Sequence, residues 1–592
     1  MCGIVGACLE ADAAALAAAL RQSSAAPQHR GPDADGQWLS PDGRLGFAHR
    51  RLTIIDLSEV GNQPMASASG RLMICFNGEI YNYRELRQEL VAAGVAFRSH
   101  SDTEVILAAV ETWGLGPALQ RFVGMFAFAL WDAADQSVCL VRDRVGVKPL
   151  YFGSDGRQWA FASELKALRH YAWLDRRPDP VALSLYLRYG YIPSPHSVYR
   201  GVRKVPAGAW LRIGLADGTV TEHRYWDLVE VARRGQAEPW RGSPEEAVAE
   251  VAQLLDDSIR LRMVADVPVG AFLSGGIDSS TVVALMRAHS PHQVKTFTIG
   301  FDDARSNEAE HAKRIARHLG TDHHELYIGE AELLRHVDDI TRIGDEPFAD
   351  PSILPTWIVS RLAAGQVKVV LSSDGGDEFF GGYKHYGRAG EFMRLNRRLP
   401  APLGRLVGGW LARASAGGGK VARRGAIMAA RGPEEIARAV LSHWQRPASI
   451  LRGGTDDDAL WPDDATPLGQ DLQAHLMLRD ALRYLPDDIM HKVDRASMAA
   501  SLEARKPVLD HRLIEFAWRL SPALKIRDGQ TKWPLRQILA RHVPRELFER
   551  PKQGFGVPVS AWLRGSLRDW AQDLLADPLL DEYLDRPALR QI

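Results

Sequence analysis

Short apolar runs rich in β-branched and aromatic residues dominate the first two hundred positions. CGIVGACL (2–9), LGFAHRRLTIID (45–56), RLMICFNGEI (71–80), GMFAFALWD (124–132), SVCLVRD (137–143) and WAFASE (159–164) each predict a strand. Asn82–Glu85 and Ser101–Glu104 read as capping boxes, each opening a helix. Many strands with few helices predict an α+β or sandwich core over residues 2–215. Residues 216–245, ending in the polar stretch WDLVEVARRGQAEPWRGSPE, read as a linker. Beyond it the period changes. A helix at about 245–263 leads to the strand VPVGAFL. Then follow helix SSTVVALMRAH, strand VKTFTIGF, helix NEAEHAKRIARHLG, strand HHELYI, helix EAELLRHVDDITRI and strand VKVVLSS. This alternation predicts a parallel, doubly wound α/β sheet within a second domain, 246–592. After about residue 390 the pattern is mostly helical, and residues 404–432 read as a solvated, basic helical insertion.

Composition narrows the function. The chain has 592 residues, 73 Lys plus Arg and 73 Asp plus Glu, so its formal charge is zero. That argues against nucleic acid or an anionic membrane being gripped through bulk charge. Hydrophobic residues make up 46% and charged residues 25%, which excludes wholesale disorder. The four cysteines, Cys2, Cys8, Cys75 and Cys139, form no CxxC pair, so neither a zinc ribbon nor a disulfide scaffold is expected. MCGIVGACLEAD lacks a basic leader region, and no run of 18 apolar residues occurs. The expectation is a soluble cytoplasmic enzyme acting on small molecules, with no membrane span.

Two segments carry candidate chemistry. Removal of Met1 would leave Cys2 with a free α-amine, a nucleophile and base in one residue. Arg51 suits a substrate carboxylate. Asn77-Gly78, at the end of strand LMICF, suits an oxyanion hole or a hairpin turn. Glu79 and Asp102 suit a substrate ammonium, and Asp102 equally suits a first-turn helix charge. The second segment, Ser274-Gly275-Gly276-Ile277-Asp278-Ser279-Ser280, follows a strand and opens a helix. Its glycines let backbone approach phosphate, the helix N-terminus adds N–H donors, and Asp278 can hold Mg²⁺. A second acidic loop, Leu371–Tyr383, follows strand VKVV and should lie beside the first at the carboxyl edge of the sheet. Asp377 there is a candidate second Mg²⁺ ligand.

MCGIVG, HRGPDADG, HRRLTIID, FNGEIYNY, SDTE, RDRVGVKPLYF and FASELKAL occur in the order seen in class-II (N-terminal nucleophile, Ntn) glutamine amidotransferases. The resemblance implies a four-layer Ntn sandwich in which Cys2 hydrolyses glutamine through a thioester. It implies Asn77 and Gly78 as the oxyanion hole and Arg51, Glu79 and Asp102 as glutamine anchors. Cys8, Cys75 and Cys139 match no catalytic position. The 274–280 loop resembles the SGGxDS motif of ATP pyrophosphatases. Together the two halves resemble the glutamine-hydrolysing asparagine synthetase family over almost the whole chain, including YLPDDIMHKVDRASM (484–498), SLEARKPVLD (501–510) and RPKQGFGVP (550–558).

That resemblance implies ATP and Mg²⁺ as cofactors, aspartate as acceptor, and a homodimer. It implies ATP contacts from Leu273, Ser274, Gly275, Gly276, Asp278, Ser279, Ile299, Ser372 and Ser373. Asp374 and Lys532 are implied as catalytic, Arg505 as shaping the synthetase pocket, and an apolar ammonia passage between the domains. Two departures from the family pattern stand out. Ser373 and Asp374 replace Gly and Glu of the acidic loop, and Lys506 and Val508 interrupt E-A-R-V-P-F-L-D.

Overall fold

The computed structural model describes residues 2–301, 308–414, 418–457, 468–469, 471–550 and 557–589. All six N-terminal runs form strands: Gly3–Cys8, Leu45–Arg51, Leu72–Ile80, Gly124–Asp132, Ser137–Arg142 and Trp159–Ala162. They divide between two six-stranded sheets whose pairings are antiparallel. Gly3–Cys8 lies inside the first sheet, between Trp159–Ala162 and Leu45–Arg51. Leu72–Ile80 lies in the second, paired with Gly124–Asp132. Ile4, Phe47, Cys75, Ala127, Ala129 and Phe161 fill one core, to which strands of both sheets contribute alternate residues.

The expected linker is ordered. Val220–Arg224 is an edge strand of the second sheet, and helix Leu228–Ala237 packs on helix His511–Arg519. Gly235 sits so close to Trp518 that a Cβ there would meet its carbonyl oxygen at 2.7 Å. The Ser243–Glu246 box, which does cap the helix Pro244–Arg262, lies at the end of this segment. Of the two boxes expected from sequence, Ser101 accepts from the Glu104 amide, but Glu104 turns to the Arg98 and Ser99 amides. Asn82 caps nothing. Its side chain instead receives the Val123 amide and donates to the Arg121 carbonyl.

The second domain is built on a five-stranded parallel sheet in the order Asp322–Ile328, Lys295–Phe301, Val269–Phe272, Val369–Leu371, Glu503–Arg505. One face is covered by Pro244–Arg262, Ile277–His289 and Ala309–Leu319. The other is covered by Ile353–Ala364 and Met490–Met498. The segment 330–343, expected as one helix, forms two short ones, Glu330–Leu334 and Asp339–Gly344. Residues 404–432 fall largely within a hairpin of helices Ala401–Ala414 and Gly419–Ala429. Asn307 of the expected helix and residues 551–556 of the RPKQGFGVP motif lie outside the described residues. No helix among the described residues is long and apolar enough to cross a membrane.

Candidate active sites

Strand pairing brings the first set together. Cys2 enters the strand Gly3–Cys8, and Asn77 crosses from the other sheet so that the Cys2 backbone nitrogen donates to Asn77 Oδ1 at 3.0 Å. Asn77 is fully buried, and its Nδ2 has no hydrogen-bond partner among the described residues. A buried amide donor left unsatisfied beside a thiol is what an oxyanion hole requires before substrate arrives. Gly78 has φ +155°, and a Cβ there would meet the Met125 carbonyl oxygen at 2.2 Å, so only glycine fits.

Burial opposes ionisation of Cys2, but His49 leads the groups that outweigh it, the Leu52 amide among them, and bring the thiol down from 9.0 to about 7. His49 Nε2 is 3.0 Å from the Phe76 carbonyl oxygen, so in the neutral ring Nε2 carries the proton and Nδ1 is left as an acceptor. Sequence reasoning missed His49, which sits in the quoted HRRLTIID run. Burial pushes Cys8 and Cys75 up, and Cys139 to about 12, so these three are inert thiols.

Arg51, Gly78, Glu79 and Asp102 line one cavity with Cys2, of about 40 Å³. Arg51 is turned onto the 55–62 loop, donating to Ser58 O at 2.9 Å and Asn62 Oδ1 at 2.8 Å. Burial raises Asp102 to about 6, although its Oδ2 accepts the Ile80 amide. Glu79 is raised by burial, and Glu503 adds to this, against the pull of Arg505, with which it is paired. Arg505 therefore does not shape the synthetase pocket. It reaches back from its strand to the glutaminase side, and Glu503 lines the Cys2 cavity. Alternation along Glu503–Arg505 puts both side chains on one face, and that face meets the first domain.

The expected apolar passage is also not what lies at this junction. Arg30 Nε donates to the Cys2 carbonyl at 3.1 Å, and its two terminal nitrogens clasp Asp494 at 2.7 and 3.1 Å. Lys148, fully buried, lies 3.6 Å from Asp494 and is lowered to about 7 by burial and by neighbouring Lys506. Lys506, lowered by burial, donates to the Ala504 carbonyl at 2.8 Å. The junction is a layer of buried charges because both domains present their motif arginines, lysines and acids to it.

The second set gathers at the carboxyl edge of the parallel sheet, around a cavity of about 620 Å³, a size suited to a nucleotide-scale ligand. Ser274, Gly275, Gly276, Asp278, Ser279, Ser373, Asp377 and Lys532 line it. Gly275 has φ +73°, and a Cβ there would meet the Ala312 nitrogen at 2.8 Å. Ser274 and Ser279 hydroxyls lie 3.1 Å apart at the start of helix Ile277–His289. Lys532 contacts Asp278 and, at 2.9 Å, Asp377. Burial opposes its charge, and the two carboxylates hold its pKa above the usual lysine range. Its own φ is +57°, a conformation that a lysine adopts only when packing enforces it.

Two carboxylates touching one ammonium are close enough to share one metal ion. Mg²⁺ typically takes one or two carboxylates and fills its sphere from phosphates and water, so Asp278 and Asp377 fit it. Leu273 and Ile299 are buried in the sheet core and do not reach the cavity wall. Ser372 and Asp374 stand just behind the wall, joined by a 2.6 Å hydrogen bond. Sequence reasoning missed the far wall: Asp350, Tyr383, His385, Tyr484 and Lys492. Lys492 pairs with Asp350 at 2.9 Å, and despite burial this helps lower Asp350 to about 2. Burial and Asp377 push Glu378 up to about 8, and Tyr383 donates to it at 2.6 Å.

Comparison with known proteins places this geometry. Residues 1–226 match the family described as glutamine amidotransferase domain, and residues 250–592 the one described as asparagine synthase. A putative glutamine-hydrolysing asparagine synthetase of Mycobacterium tuberculosis is 37% identical over 579 residues, covering 95% of this chain and 87% of that protein. Asparagine synthetase 1 of Bacillus subtilis is 33% identical over 610 residues, 100% and 92% of the two chains. Amidase chry2 of Gibberella zeae is 29% identical over 611 residues, 96% and 89%. With an antiparallel-sheet domain joined to a parallel-sheet domain, the chain belongs to the glutamine-dependent asparagine synthase family.

Proposed function

We propose that the chain makes asparagine from aspartate, glutamine and ATP, releasing glutamate, AMP and pyrophosphate. The observation that carries the nitrogen half is the unsatisfied Asn77 Nδ2 beside a thiol held near pKa 7. Cys2 Sγ attacks the glutamine side-chain carbonyl, and the developing oxyanion takes hydrogen bonds from Asn77 Nδ2 and the Gly78 amide. Ammonia leaves as the thioester forms, and water then releases glutamate. Arg51 takes the glutamine α-carboxylate once the 55–62 loop swings off it. Glu79 and Asp102 take the α-ammonium.

In the second cavity the acceptor carboxylate attacks the α-phosphorus of ATP and displaces pyrophosphate. Ammonia then attacks the acyl-adenylate and expels AMP. The N-terminus of helix Ile277–His289 and the Ser274 and Ser279 hydroxyls cradle phosphate. Lys532 neutralises charge on the departing pyrophosphate and on the adenylate. Mg²⁺, held by Asp278 and Asp377, would screen the phosphate oxygens. Asp350 and Lys492 offer opposite charges to an amino-acid acceptor on the far wall.

A second reading keeps both half-reactions and changes the acceptor to a sugar uronate or a metabolite carboxylate. The amidase relative and the Asp374 and Lys506 departures favour it. Product analysis with glutamine, MgATP and aspartate separates the two. Aspartate-dependent asparagine with AMP supports the first. Glutamate release without asparagine supports the second. Cys2→Ala should abolish glutamine hydrolysis while ammonia-dependent synthesis persists, and retained hydrolysis would remove Cys2 from the mechanism.

A further inference from the structure

The neutral overall charge hides a strongly polarised segment. Residues 392–433 contain nine Arg and Lys and neither Asp nor Glu. Most of the segment is the helical hairpin Ala401–Ala414 and Gly419–Ala429. Its two helices approach through glycine. A Cβ on Gly408 would meet the Gly425 carbonyl oxygen at 2.3 Å, and one on Gly404 the Met428 carbonyl oxygen at 2.8 Å. At about 100° per residue, the face bearing Leu403, Leu406 and Trp410 lies about 150° around the helix from those glycines. It points outward: Leu406 is 72% exposed and Trp410 66%, and Val421 on the second helix is exposed as well. Arg394, Arg397, Arg398, Arg405, Lys420 and Arg424 are exposed around this stripe, with no carboxylate partner among the described residues.

We propose that this hairpin docks the enzyme on an anionic lipid bilayer, lying flat with Leu403, Leu406 and Trp410 at the headgroup–acyl boundary and the cations against lipid phosphates. Charge complementarity names the partner as anionic, because six exposed cations without a carboxylate partner among the described residues cluster here, while Arg431 alone of the described basic side chains in the segment is paired, with Glu435. The apolar stripe separates a bilayer from nucleic acid or an acidic polysaccharide, which would use the cations and leave large apolar side chains in water. An exposed tryptophan at the edge of such a stripe is the residue the bilayer interface favours. The helix is too short and too charged to span, so the contact is peripheral. The two proposed active sites use none of these residues.

The test is co-sedimentation of the full chain with vesicles of phosphatidylglycerol and phosphatidylcholine, against phosphatidylcholine alone, at low and high salt. Binding to the anionic vesicles only, weakened by salt, is expected. Arg397→Glu with Arg405→Glu should reduce it by at least about 25-fold, at about fivefold for each cation removed. Leu406→Ser with Trp410→Ser should reduce it at both salt concentrations. Unchanged glutamine hydrolysis in both variants confirms that they are folded. Failure to sediment with anionic vesicles overturns the proposal. So does binding indifferent to Leu406 and Trp410 and matched by heparin or DNA, which would mark a general polyanion surface. Trp410-dependent self-association without vesicle binding would assign the stripe to a second copy of the chain.

Discussion

Replacing His49 with glutamine tests the origin of the thiol's acidity. The glutamine amide can still donate to the Phe76 carbonyl that His49 Nε2 now approaches at 3.0 Å, so the strand is disturbed little. What is lost is the group that, with its charge and its hydrogen bond, does most to hold the Cys2 thiol near 7 against complete burial. Without it burial leads, and the thiol returns to its ordinary 9.0 or above. Thiolate is the form present above the pKa. At pH 7.5 the thiolate fraction falls from about three-quarters to about 3%, a loss of roughly 25-fold, or ~1.9 kcal/mol of reactivity. The assay is glutamate release from glutamine across pH 6 to 10, read as kcat and kcat/KM. The parent's acid limb should turn over near pH 7. The variant's should climb to pH 9 or beyond and converge on the parent at the alkaline end. KM should hold, since His49 does not line the Cys2 cavity where glutamine is proposed to bind. A His49→Gln enzyme whose acid limb stays near 7 would refute the assignment and leave the α-amine as sole base.

Lys532→Met should lower aspartate-dependent ATP–pyrophosphate exchange about 10²- to 10³-fold while glutamine hydrolysis persists, because it strips an ammonium that touches both Asp278 and Asp377. Gly78→Ala should cost about 3 kcal/mol in urea unfolding and abolish glutaminase activity, since its Cβ has only 2.2 Å to the Met125 oxygen. Asp494→Asn should destabilise by about 3–5 kcal/mol, because buried Arg30 would keep only Glu164 as a charged partner. Despite burial, Arg30 holds the Asp494 carboxyl well below its usual range. Its stabilisation is therefore complete above about pH 4 and lost as pH falls toward the folded value. The Asn variant should show a flatter decline in stability over that acidic window, measured by urea midpoints.

Local patterns carried much of this architecture, and long-range contacts carried the rest. Short continuous apolar runs located the six early strands because each is buried along nearly its whole length, and the β–α rhythm located the parallel sheet. Cys2 and the 274–280 loop were legible because their chemistry is compressed into adjacent residues. His49 was not, because inside an apolar strand it looks like a core residue. Its role depends on Cys2, which only sheet pairing brings to it. Arg505 was read as serving its own domain, and Glu503 shares its face of the strand. Strand alternation turns them the other way, and no spacing in SLEARKPVLD discloses which domain that face meets. Asn82 shows the converse error: a capping sequence whose side chain was claimed by tertiary partners at 123 and 121.

The charged layer between the domains bears on how one chain keeps two reactions together. Helix Met490–Met498 carries Lys492 to the far wall of the nucleotide-sized cavity and Asp494 to Arg30, which itself holds the Cys2 carbonyl. Two residues apart on a helix means about 200° of rotation and 3 Å of rise, so opposite faces of one rigid element are fixed to the two sites. Apolar side chains would let these faces slide, since dispersion contacts are individually weak and non-directional. Buried ion pairs do not, because a shifted partner leaves a charge desolvated at a cost of several kcal/mol. The charges therefore trade stability for register between Cys2 and the nucleotide-sized cavity. Lys148 and Lys506 belong to the same layer, and burial there disfavours the charged form of both.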